Sequence, residues 1–156
     1  MDKPAMTEAM RASISEVLEQ MFFMPVDFIA PDAARQDPEP GDGSIIAKLG
    51  FSGSLAGTFM LQVPSSLAQS VSADFLGTVP SSLSDSDVAG TVLEMANMLV
   101  GGALSIYDSN ELFDLQIPQL ISRQEMDDFA EQGFDGIMIR IQTFDNRMTF
   151  QLILQE

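Results

Sequence analysis

Two side chains able to do chemistry stand three residues apart in the apolar segment TVLEMANMLVGGALSIY: the carboxylate of Glu94 and the amide of Asn97. At about 100° per residue they fall one turn apart on one helical face. Gly101, Ser105 and Asp108 continue this strip, and Gly90 precedes it. Elsewhere the segment is apolar, with Val92, Leu93, Ala96, Leu99, Val100, Ala103, Leu104, Ile106 and Tyr107. A solvated surface face is the bland account of such a pattern. Two details count against it. The strip lacks the Lys/Glu pairs of a solvated face, and each glycine in a helix interior costs roughly 1 kcal/mol. Glycine there lets another backbone come close, so a carboxylate and an amide project over a flat, approachable surface.

The remaining composition narrows what those groups can do. The 156 residues include no Cys and no His, which removes thiol chemistry, disulfides, Cys/His zinc sites and Ser-His or Cys-His nucleophile pairs. Seven Lys+Arg against 23 Asp+Glu give a formal charge of −16. That balance argues against nucleic acid and anionic membranes as partners, because phosphate binding needs clustered cations. With 46% hydrophobic and 19% charged residues the chain is too apolar for a disordered acidic tail. A folded domain follows, expected to span residues 1–156. The first twenty residues hold no continuous apolar run of the secretory kind, so a cytoplasmic protein is expected. The acids give no glycosidase-like pair, and Asp37, Glu39 and Asp42 lack the EF-hand spacing, so no metal site is expected.

The elements that must position Glu94 and Asn97 are legible in outline. Ile14, Val17, Leu18 and Met21 recur at helical spacing, predicting a helix from Thr7 to about Met24 that Pro25 ends. Ala30 to Gly43 concentrates Pro, Asp and Gly and reads as a loop. Ser44 to Val63 reads as two strands joined at FSGSLAG, and Pro64 opens a helix to about Leu76. Ser84 and Asp87 have the capping-box spacing that starts the central helix. Phe113 to Ile121 reads as extended, and SRQEMDDFAEQGFDG as a polar loop. GIMIRIQTF and RMTFQLILQ then form a hairpin around Asp145-Asn146. The C-terminal strand is apolar; it is expected either to pair across a subunit edge or to lie covered inside the sheet.

An internal repeat runs through this order, over about 7–63 and 84–156. Val17-Leu18-Glu19 matches Val92-Leu93-Glu94, IIAKL answers IMIRI, and TFMLQV resembles TFQLIL. The expected fold is therefore α/β of the α+β type. Two pseudo-repeated α-β-β halves form an antiparallel sheet with helices packed on it.

The spacing E-x-x-N-x-x-x-G in LEMANMLVGG, the following Pro118 in FDLQIPQLI and the preceding GFSGSLAGTFMLQVP together resemble the CheC/CheX/FliY chemotaxis phosphatases. The resemblance implies hydrolysis of the aspartyl phosphate on a CheY-type response regulator. By motif position Glu94 pairs with the receiver's lysine, and Asn97 enters its active site and orients the attacking water. Gly90, Gly101 and Ser105 are the expected partner-facing positions. No cofactor of the chain's own is implied, because the receiver brings its Mg²⁺ and lysine. An acyl phosphate reacts through a loose transition state, so positioning a water can supply the acceleration. An amide suits the task, accepting from the water while donating to the phosphoryl group. Two departures shape the expectation. The family commonly has Asp or Ser where this chain has Gly90, which leaves a non-catalytic receiver-binding or flagellar-switch-binding module as the alternative. Phe22 stands where a second site would need Asn, so Glu19 is an ordinary exposed acid and the chain resembles single-site, CheX-like members. A homodimer is also what that resemblance implies.

Overall fold

The computed structural model describes residues 1–30, 43–132 and 135–155; the expected loop at Ala30–Gly43, with Asp37, Glu39 and Asp42, lies almost wholly outside them. Helix α1 covers Lys3–Glu16, starting earlier than the apolar spacing predicts because Asp2 caps it, its Oδ1 accepting from Ala5 N at 3.1 Å. From Val17 to Met21 the chain changes to a π-helical turn, and strand β1 (Asp27–Phe28) follows. Strands β2 (Ser44–Ser52) and β3 (Gly57–Pro64) lead into α2 (Ser65–Leu76), which ends at Gly77 in the left-handed region (φ 68°). Helix α3 spans Asp85–Tyr107, β4 and β5 are Asp114–Leu115 and Gln119–Ile121, and α4 is Arg123–Glu131. The hairpin β6 (Gly136–Thr143) and β7 (Asn146–Leu154) completes the described chain.

All strand pairs are antiparallel, in the order β1-β6-β7-β3-β2-β4, with β5 also on β2. The two hairpins meet at β3 and β7, and their register has the symmetry the repeat demands. Aligning TFMLQV with TFQLIL equates Met60 with Gln151, and these are cross-strand partners. On either side Phe59 pairs with Leu152 and Leu61 with Phe150, so equivalent residues exchange places about that centre. The equivalent rings of Phe59 and Phe150 stack on the core side at 5.2 Å. Ala47, Leu49, Phe59, Leu61, Val63, Ile137, Ile139, Ile141, Met148, Phe150 and Leu152 form the inward face, against which α1 and α3 pack.

Two expectations change, and an open alternative is decided. The segment after Ile121 is a helix, not a loop. Ser122 and Glu125 form a capping box, Ser122 Oγ accepting from Glu125 N at 3.1 Å and Glu125 Oε1 from Ser122 N at 3.2 Å. Pairs at i,i+4, Arg123–Asp127 and Gln124–Asp128, reinforce it. The β6–β7 turn falls at Phe144-Asp145, since Thr143 pairs with Asn146. A shift of one residue would turn Met148, Phe150 and Leu152 outward. Strand β7 lies between β6 and β3, so it is the covered internal strand and offers no subunit edge.

Candidate functional site

Helix α3 carries the strip, and its start is fixed by the residues that predict it. Ser84 Oγ accepts from Asp87 N and Asp87 Oδ2 accepts from Ser84 N, each at 3.0 Å. The Asp87 carboxylate is therefore occupied in capping. Val88, Thr91, Val92, Met95, Ala96, Leu99, Val100, Ala103 and Leu104 are buried against α1 and the sheet. By length and composition this helix could cross a membrane; here that apolar face lies in the protein core.

The opposite face is the one the sequence singles out. Glu94 and Ser105 are exposed, Asn97 and Gly101 half-buried, and Gly90 exposed. A Cβ placed at Gly90 or Gly101 would meet nothing within 4 Å, so neither glycine is needed for packing within the described chain. Neither Glu94 nor Asn97 has a hydrogen-bond or ion-pair partner among the described residues. A charged acceptor and an amide thus stand one turn apart, free to meet an incoming surface. Among the described residues no group of three or more Asp or Glu is placed to hold a metal ion. A depression of about 460 Å³ lies elsewhere, at the sheet's end, between Met1, Gly53–Ala56, Asp135 and Leu154–Gln155. Neither Glu94 nor Asn97 lines that depression; both stand on the open face of α3.

The sequence of this chain matches the family described as "Chemotaxis phosphatase CheX" over residues 45–142, a span containing the whole strip. The chain belongs to that family. Its fold is shared with CheX from Vibrio vulnificus (TM-score 0.72, 19% identity, 96% of each chain covered). It is shared equally with the CheX–CheY–BeF3–Mg²⁺ complex from Borrelia burgdorferi (TM-score 0.75, 18% identity, 96% of this chain and 97% of that one). The FliM middle domain of Vibrio alginolyticus has the same fold at greater distance (TM-score 0.61, 9% identity, 96% and 90% covered). No curated protein sequence matches significantly.

The first half has no counterpart of the site. Glu19 is exposed, but Phe22 turns inward, 3% exposed, and its ring stacks on Phe75 at 4.9 Å. The i→i+5 bonding of the π turn widens the helix at this point, and Phe23 follows in the left-handed region (φ 56°). What sequence reasoning missed is the contact between α1 and α3. Gly102, next to Gly101, serves that contact: a Cβ there would come within 2.5 Å of Ser13 Oγ. The adjacent glycines in NMLVGG were the available signal.

Proposed function

We propose that this CheX-family protein is a phosphatase for the aspartyl phosphate of a CheY-type response regulator. The observation that carries the reading is the unpartnered Glu94/Asn97 pair on an open face of α3, in a chain with no His or Cys. In this reading the Glu94 carboxylate accepts a charge-assisted hydrogen bond from the receiver's lysine. Asn97 accepts from a water and holds it in line with the phosphorus. The water's oxygen bonds to phosphorus, the bond to the aspartyl oxygen breaks, and the carboxylate leaves with inorganic phosphate as the other product. Gly101 lets the receiver's backbone approach, and Ser105 lies further along the same contact. The Mg²⁺ belongs to the receiver and neutralises charge on the phosphoryl group when bound there. Both proteins are then cytoplasmic. The Borrelia complex, in which a CheX is bound to CheY, supports the choice of partner.

The reading is tested by the loss rate of aspartyl phosphate from CheY-type receivers, with the native protein and with Asn97→Ala. Acceleration by the native protein alone is expected. A second reading, a receiver-binding or flagellar-switch adaptor, is favoured by the open position at Gly90 and by the likeness to the FliM middle domain. A receiver that binds and is not dephosphorylated faster would establish that second reading.

A further inference from the structure

Helices α1 and α3 run antiparallel: Asp2 N donates to Tyr107 Oη near one end, and Ser13 meets Leu99 further along. The second contact is buried. Ser13 is 1% exposed, and its hydroxyl donates to the Leu99 carbonyl at 2.8 Å. Its neighbours along the two helices, Met10, Ile14, Leu99, Val100 and Ala103, all belong to the buried core, so losing this partner would leave a buried hydroxyl unsatisfied. Gly102 forms the other wall. A Cβ at Gly102 would stand 2.5 Å from Ser13 Oγ and 3.4 Å from Ser13 Cβ, so the hydroxyl fills the space a side chain would take. The two contacts together are specific about distance along the helix. A slide of one residue, about 1.5 Å, would break the hydrogen bond and drive the hydroxyl into the next turn.

Asn97 lies two residues before Leu99, on the same rigid helix. We infer that Ser13 is a positioning residue for the α3 site, and that its hydrogen bond to Leu99, seated against Gly102, sets where Asn97 stands. The inference rests on the phosphatase reading above. The physical demand comes from in-line attack, where a displacement on the order of 1 Å costs about 100-fold. The Glu94 anchor is more tolerant, because a flexible carboxylate can follow its lysine.

The test uses Ser13→Ala, Gly102→Ala and the double variant in the full chain, beside Asn97→Ala. Relative to the native protein, Ser13→Ala should lower saturated turnover about fivefold, and Gly102→Ala about tenfold or more, each with KM within about twofold. In the double variant the new methyl meets only Ser13 Cβ at 3.4 Å, so turnover should recover to about the Ser13→Ala level. Loss of thermal stability with turnover unchanged would overturn the inference, as would a double variant no faster than Gly102→Ala. A readout independent of turnover is the Asn97 amide resonances by NMR. They should shift in Gly102→Ala and return towards native in the double variant; resonances that stay fixed overturn the inference even if the native protein proves inactive. Inactivity of the native protein would itself defeat the phosphatase reading, so the two failures are distinguishable.

Discussion

The two halves put a glutamate at equivalent points, Glu19 and Glu94, and part company three residues later. In α3 the helix stays regular over 23 residues, and the next side chain on that face, Asn97, is an unpartnered amide at the surface. In the first half the helix changes to a π turn at Val17, and the matching side chain, Phe22, is buried on Phe75. An exposed acid alone is therefore no evidence of a site. In α3 a regular helix carries a second polar group one turn on and leaves both unpaired, which is what makes Glu94 a candidate. Equivalent positions present an unpartnered amide in one half and a core ring in the other, because a helical turn of three or four residues decides which way a side chain faces.

This contrast can be broken experimentally, and the largest effect is expected at Asn97. Asn97→Ala should abolish the acceleration of receiver dephosphorylation, a loss of at least about 100-fold, without lowering the unfolding midpoint. Unchanged turnover would remove the distinction between the halves. Phe22→Asn copies the motif into the first half and should cost roughly 4 kcal/mol, from the lost ring and the buried amide. Denaturant unfolding reads the cost, and a gain in turnover would show that the π turn does not prevent a second site. Glu94→Ala should raise KM for phosphorylated receiver about tenfold while saturated turnover falls less than about threefold. Equal losses in both would make Glu94 more than an anchor. Phe23→Gly places glycine at φ 56° and should stabilise the protein by about 0.5–1 kcal/mol. Destabilisation instead would mean that the exposed ring of Phe23 packs on something essential.

The smallest effect concerns the seam between the halves, where Lys3 of α1 meets Asp135 just before β6 at 3.1 Å. The hydrogen bond from Lys3 and its charge hold the Asp135 carboxyl below the ordinary range. A lowered carboxylate contributes stability above its unfolded pKa of about 3.9 and loses it as pH falls through the lower folded value. In Lys3→Met an NMR titration should return Asp135 to the ordinary range, with little change in stability because the pair is exposed. An unmoved titration would assign the shift to another cause.

Much of this molecule was written in local pattern. Apolar spacing of three and four placed α1 and α3, apolar runs broken at turn residues placed both hairpins, and Ser84-x-x-Asp87 marked the start of α3. The strip of Glu94, Asn97 and Gly101 was visible for the same reason, since one helix carries it all and 100° per residue suffices to collect it. Helix α4 escaped because, among its described side chains, only Met126 and Phe129 are as much as half-buried, too few to set up a period, although Ser122 and Glu125 already spelled a capping box. The turn at Phe144-Asp145 escaped because composition favours Asp145-Asn146, while the register of β6 on β7 overrules it.

The amino-acid sequence by itself determined the chemistry open to this protein: carboxylate and amide on one helical face, with no thiol and no imidazole. Tertiary structure alone decided which groups are free to use it. Only packing turned Phe22 inward, left Glu94 and Asn97 without partners, and assigned Gly102 to Ser13 while Gly101 stayed open. These are contacts between residues far apart in the chain, and no local spacing encodes them.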